Sequence, residues 1–232
     1  SHWYYFLISL FVFSLIAFAY IRYTTPVYSV SSTILIRDDN NTQLGAENIL
    51  EGMELFSGKT NINNEIVVLK SFSLIDKVVN ELALGVSYFQ HGFLQSNELY
   101  KNTPFVVKVD SNYHQIVNSE FRIKIIDEKT YNLSCSIDDL NTYDLNTDRL
   151  NKNISASIDI DDNFKFGEQI KTEFFSFKIV KTKAFNINTI LENQKDFSFN
   201  LHQRSKLVSS YIDAVSINPI NKETSVLKLK IN

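Results

Sequence analysis

Residues 3–21 read WYYFLISLFVFSLIAFAYI, nineteen side chains without one charge. A helix rising about 1.5 Å per residue carries that run across about 28 Å, close to the hydrocarbon thickness of a bilayer. Trp3, Tyr4 and Tyr5 stand at one end, and Tyr20, Arg22 and Tyr23 at the other. These are the aromatic and basic types that the two membrane–water interfaces favour. Pro26 stops any continuation, because it lacks a backbone N–H and its ring clashes with the preceding turn. The stretch therefore predicts a transmembrane helix over residues 1–23, with those six residues at the interfaces. A buried core helix fits less well, since cores rarely need a helix apolar on every face. A cleaved signal peptide is the stronger rival, because Ala17-Phe18-Ala19 has the A-x-A form; against it, aromatic residues crowd the place of a basic n-region. Arg22 alone does not fix the orientation.

The remaining length suffices for one large domain or two small ones. A formal net charge of −3 and the lack of any Lys/Arg-rich run give no electrostatic reason to expect nucleic acid. The single cysteine, Cys135, excludes an intrachain disulfide framework and a cysteine metal cluster. It reads as a small residue packed in a strand.

Periodicity gives an α+β chain. Val27–Arg37 alternates and is β-branched, a strand leaving the membrane. Asp38–Thr42 reads as a polar turn and residues 43–60 as a loop with a short helix. Ile62, Ile66, Leu69, Phe72, Ile75, Val79 and Leu82 recur every three or four residues, one continuous amphipathic helix capped at Asn61 or Asn63 and ended by Gly85. Strands follow at Val86–Phe89, Phe105–Asp110, Phe121–Ile126 and Tyr131–Ile137, with Asp127–Thr130 as a hairpin turn between the last two. Residues 138–153, rich in Asn and Asp, read as irregular. Ile154–Ile160, Phe164–Gly167, Phe174–Lys181 and Asp196–Leu201 read as further strands. Gln203–Ala214 reads as a helix, and Val215–Ile217 and Ser225–Ile231 as the last strands. The resulting organisation is a membrane helix (1–23), the first part of a mixed α/β domain (24–90), a strand-rich insertion (91–200), and a return helix and strand of the α/β domain (201–232).

Catalytic patterns are lacking. His2, His91, His114 and His202 are scattered without ligand spacing. Asp159-x-Asp161-x-Asn163 opens like a calcium loop but has Phe164 where the loop needs Gly and Ile170 where it needs an acid; it reads as a solvated acidic turn. No nucleophile elbow, P-loop or dinucleotide fingerprint occurs. The paired acids Asp38/Asp39, Asp138/Asp139 and Asp161/Asp162 read as polar turns. The many aromatics could form a sugar-stacking platform, although their alternation along strands favours core packing. No cofactor, metal or enzymatic step is expected of this segment.

Taken in order, several stretches resemble the polysaccharide co-polymerases, the chain-length-determinant family of Wzz/Wzc type. They are Arg22-Tyr23-Thr24-Thr25-Pro26-Val27-Tyr28 with Ser31-Ser32-Thr33-Ile34-Leu35-Ile36, then Asn64-Glu65-Ile66-Val67-Val68-Leu69-Lys70-Ser71, then Asn218-Pro219 with Thr224-Ser225-Val226-Leu227-Lys228-Leu229. Tyr88, Pro104-Phe105 and Phe166-Gly167 give the chain the style of the Bacteroidetes versions, which often carry a tyrosine autokinase. The resemblance covers residues 3–90 and about 200–232. It implies a bacterial inner-membrane protein with a periplasmic domain, a second membrane helix beyond Asn232, and any kinase domain after that. It also implies a homo-oligomeric ring governing the length and export of capsule, exopolysaccharide or O-antigen. Its implied partners are other copies of itself, the lipid bilayer, the nascent polysaccharide and an outer-membrane export channel. Glu65 and Lys70 are candidate oligomer contacts, against the plainer reading of a solvated helix face. An extracytoplasmic ligand-sensing domain of a membrane receptor is the alternative function, and an anchored glycan-acting enzyme a weaker third.

Overall fold

The computed structural model describes residues 3–23, 28–36, 62–92, 96–138, 140–154, 157–192, 195–221 and 226–231. The expected turn at 38–42, the loop with a short helix at 43–60 and the Asn61 cap lie outside the described residues. In chain order the elements are α1 (Trp3–Tyr23), β1 (Val30–Leu35), α2 (62–69), α3 (Phe72–Glu81), β2 (Val86–His91), β3 (Ser96–Leu99), β4 (Phe105–Val109) and β5 (Gln115–Ile116). They continue as β6 (Glu120–Ile125), β7 (Thr130–Ile137), β8 (Leu140–Asp144), β9 (Arg149–Ile154), β10 (Ile158–Lys165), β11 (Gln169–Lys171) and β12 (Ser176–Lys181). The last are α4 (Ile187–Glu192), β13 (Asp196–Leu201), α5 (Arg204–Ala214), β14 (Val215–Pro219) and β15 (Val226–Ile231). The chain is thus mixed α/β.

α1 is a 21-residue helix. Its described side chains are exposed all round, from Trp3 at 67% to Ile21 at 76%. The side chain of Ala19 is outside the description, and among the described residues no helix is long and apolar enough to cross a membrane.

The alternation of β15 and the β-branched run of β1 bring distant parts of the chain together. β15 is the centre of a three-stranded sheet, with β1 antiparallel on one side and β14 on the other. Val215, Ile217 and Leu227 form one face and bury against Ile62, Ile66 and Leu69 of α2. Lys228 and Lys230 alternate to the other face and stay exposed.

The single helix expected through Leu82 is in fact two. Ser71 takes extended backbone (φ −66°, ψ 144°), and its hydroxyl accepts the Leu74 N–H at 3.4 Å. A serine offers the backbone this N-cap in competition with helix continuation. The helix end also differs from expectation. Ala83, not Gly85, takes the left-handed conformation (φ 53°). Leu84 N–H donates to the Val79 carbonyl at 3.0 Å and Ala83 N–H to that of Asn80 at 3.1 Å, the two bonds of a Schellman ending.

The strand-rich part is built on a six-stranded sheet in the order β10-β7-β6-β13-β2-β3, accompanied by two three-stranded sheets, β11-β12-β4 and β5-β8-β9. Along β6, Phe121, Ile123 and Ile125 point into the core and Arg122 and Lys124 out. Four fully buried rings join sheet to sheet. Phe121 stacks on Phe199 at 5.0 Å and meets Phe175 and Phe177 edge-on at 5.4 and 5.5 Å. Gln115, fully buried, adds a polar tie: its amide donates to the Ser176 carbonyl at 2.8 Å and accepts the Ser176 N–H at 3.2 Å. Asp127 holds the β6–β7 turn as expected, accepting from Lys129 N at 2.7 Å and Thr130 N at 2.8 Å.

Two loop expectations are overturned. Residues 140–154 form the β8–β9 hairpin: Leu140 and Thr142 alternate inward, and the Asp144 carboxylate ties its turn through Asn146 N and Thr147 N, both at 2.9 Å. Asp159, Asp161 and Asn163 lie on strand β10 rather than in a turn, with Asn132 Nδ2 donating to Asp161 at 2.8 Å. β10 is a sheet edge, where charge discourages pairing with another chain.

α5 is clamped from both sides. Its N-terminal Ser205 N–H donates to Asp148 Oδ2 at 2.9 Å and Gln203 N–H to Asn118 Oδ1 at 3.3 Å. Asp148 and Asn118 are themselves left-handed (φ 53° and 57°), a conformation Asn and Asp tolerate better than most residues. Toward α3, Arg204 forms a bidentate pair with Asp76, whose side chain is 13% exposed against 38% for Arg204. The Arg204 hydrogen bonds hold the Asp76 carboxyl below its usual range, opposed by burial.

Two outcomes follow. Asp76→Asn costs about 1–2 kcal/mol at pH 7, less than the roughly 3–5 of a fully buried pair because water screens Arg204. A depressed folded-state pKa contributes stability above the unfolded value of about 3.9 and loses it as pH falls through the folded value. Denaturation of the two proteins should therefore show a gap at neutral pH that closes below about pH 4; a gap constant in pH refutes the ion pair. Ala83→Gly relieves a Cβ in the left-handed region, offset in part by unfolded-state entropy, and should raise stability by about 0.5–1 kcal/mol, read as a later denaturant midpoint; an earlier midpoint refutes the assigned helix end.

Candidate functional site

The end of α3, the β2–β3 pair and α5 enclose a cleft of ≈ 400 Å³ whose walls include Tyr88, Tyr100 and Tyr211 with Ser87, Glu98 and Lys101. The Schellman turn at Ala83 and Leu84 supplies one wall, and α5, held by Asp76 and Asp148, supplies another. Tyr88 is fixed from below: its hydroxyl accepts the Val107 N–H at 3.0 Å and its ring meets Phe105 edge-on at 5.9 Å. Burial raises the Tyr88 phenol pKa, and burial followed by Glu98 and Tyr100 raises that of Tyr211. Both phenols therefore stay protonated at neutral pH and can donate. Tyr100 is 55% exposed, with Lys101 Nζ 5.4 Å from its ring centre.

The Glu98 carboxylate is oriented by a short relay. Ser87 Oγ donates to Glu98 at 3.0 Å and lies 2.9 Å from His202 Nε2. A carboxylate only accepts, so the Ser87 proton points to Glu98 and the Ser87 oxygen takes the His202 Nε2–H. Burial lowers the His202 pKa against the opposing pull of Glu98, which keeps the imidazole neutral. The set is no nucleophilic triad, because the carboxylate meets the hydroxyl rather than the ring. It can bind and orient a polar ligand.

A second, larger hollow of ≈ 570 Å³ lies on the outer face of the six-stranded sheet, around Glu120, Arg122, Ser134 and Asp159. Two of its polar groups serve each other: Arg122 Nε is 3.3 Å from Glu120. None of its lining residues is aromatic. Binding sites are mostly apolar with a few convergent polar groups, so the tyrosine cleft is the better candidate despite its smaller volume.

The residues singled out in the sequence lie elsewhere. Trp3, Tyr4, Tyr5 and Tyr20 sit exposed on α1, with the Tyr4 and Tyr5 rings 4.5 Å apart. Arg22 and Tyr23 belong to α1, and their side chains lie outside the described residues. Glu65 and Lys70 are both half-buried, and five residues on a helix place them about 140° apart around its axis, so the fold does not bring them together. Cys135 is buried on β7, its thiol pushed up to about 11 by burial and then Asp159. Among the described residues no group of three His, Cys, Asp or Glu could hold a metal ion. The buried phenylalanines pack the core as their alternation implied, while the sequence reading gave Tyr88, Tyr100 and Tyr211 no common site. Their signal was chemical: a phenol needs a polar partner and so favours the rim of a core.

No curated protein matches the chain. Residues 1–82, which run from α1 to the end of α3, match the family model Wzz, chain length determinant protein.

Proposed function

We propose that this chain is the membrane-anchored periplasmic part of a homo-oligomer that sets polysaccharide chain length during polymerisation and export. The family match over residues 1–82 carries the reading. Three features support it. In the sequence, residues 3–21 carry no charge and are bounded by the aromatic and basic residues that membrane interfaces favour, the pattern on which the anchor is proposed. β15 returns antiparallel to β1, so Ile231 lies opposite Val30, close to the end of α1 in sequence; a second membrane helix beyond Asn232 would enter the same bilayer. While α2 buries Ile62, Ile66 and Leu69, it leaves Val67 and Val68 70% and 56% exposed, beside Phe72 of α3 at 46%. Such a patch suits packing between copies, and membrane anchoring raises their effective concentration. Glu65 and Lys70 would flank that contact. The outer-membrane channel is the proposed export partner, no catalytic step is assigned to this segment, and any tyrosine kinase activity would reside beyond residue 232.

A ligand-sensing domain remains the second reading, because the tyrosine cleft is the pocket such a domain would need.

Deleting the gene should shift the length distribution of the surface polysaccharide, and the full-length gene should restore it; an unchanged distribution argues for the sensing reading. The detergent-extracted protein should have a mass several times that of one chain, and Val68→Glu should lower it; a strict monomer at all concentrations contradicts the assembly.

A further inference from the structure

We infer that the cleft between α3, α5 and the β2–β3 pair is a saccharide-binding site that holds a short stretch of the polymer. A sugar ring presents an apolar C–H face and a rim of hydroxyls. The cleft answers both needs: the rings of Tyr88, Tyr100 and Tyr211 offer flat apolar faces, and Glu98, Lys101 and the phenols offer acceptors and donors at their edges. One carboxylate and one ammonium leave the polar set without net charge, so it does not select a strongly anionic ligand. The Glu98 carboxylate is already positioned by Ser87 and His202, and Tyr88 by Val107 and Phe105, so little side-chain freedom is lost on binding. The exposed Tyr100 forms the rim, where a longer chain can continue into solvent. The walls come from both α5 and the six-stranded sheet, so an occupied cleft stiffens the junction between them.

The identity of the ligand as polymer rests on the chain-length reading, and the test separates the two. The full-length protein in detergent is titrated with oligosaccharides released by mild acid from the surface polysaccharide of the bacterium that encodes it, with saturation-transfer NMR as the readout. Saturation should reach the sugar ring protons. Tyr100→Ala should weaken binding about tenfold or more, while Tyr100→Phe, which keeps the stacking face, stays within about threefold. Arg122→Ala, in the hollow of the sheet face, should leave binding unchanged. Because Tyr100 is largely exposed, an unaltered melting temperature shows that Tyr100→Ala keeps its fold; if that variant melts early, Glu98→Gln, expected to weaken binding about fivefold through its lost charge-assisted hydrogen bond, is read in its place. Loss of binding in Arg122→Ala with retention in Tyr100→Ala overturns the cleft. So does absence of binding by a wild-type protein that still restores polymer length in the deletion strain, and the chain-length reading then stands. A deletion strain with unaltered polymer length removes that reading whatever the cleft binds.

Discussion

The antiparallel pairing of β1 with β15 is the contact on which the rest of the structure depends. It joins residues 30–35 to residues 226–231, so everything between them is a closed excursion from one sheet. Bringing such distant segments together costs loop-closure entropy, and that cost is met by burial of Val215, Ile217 and Leu227 against α2. The sheet then fixes the direction in which the excursion leaves. It also places Ile231, the end of β15, beside Val30, the start of β1, the geometry a domain needs if it returns to the surface it came from.

The strand-rich part gains its rigidity from aromatic packing. Phe121, Phe175, Phe177 and Phe199 form a ring cluster without exposure to water, and in the same core Phe105 and Phe197 meet each other edge-on at 5.8 Å. Rings in these geometries hold orientation as well as area, which lets the sheet serve as a fixed wall. α5 is docked to the β8–β9 turn by Asp148, to the β5–β6 connection by Asn118 and to α3 by the Asp76–Arg204 pair. The tyrosine cleft exists because these separate ties meet at one helix.

Much of this is legible in the sequence where periodicity is clean. β13 forms over the expected Asp196–Leu201, α5 differs from expectation by one residue at its start, and Val226–Ile231 is strand within the expected Ser225–Ile231. Periodicity failed where a polar side chain redirected the backbone. Ser71 breaks an apolar stripe that runs unbroken through it, because capping answers to hydrogen bonding and not to hydropathy. Asp144 and the Asn/Asp residues around it disguised the β8–β9 hairpin as a loop. The cleft was illegible for a different reason. Tyr88, Tyr100 and Tyr211 come from a strand, a loop and a helix, and only the folded arrangement brings them to one place.

Cysteine labelling in spheroplasts tests most directly whether the β1–β15 sheet sits just outside the membrane with both chain directions on one side. Within residues 1–232 the background is low, since Cys135 is the one thiol there and is buried with a raised pKa. Tyr28→Cys and Lys230→Cys, made separately, place thiols on exposed positions of the two chain segments at the Val30–Ile231 end of the sheet. A membrane-impermeant maleimide should label both variants in intact spheroplasts. Labelling of either one only after the membrane is permeabilised would contradict the account.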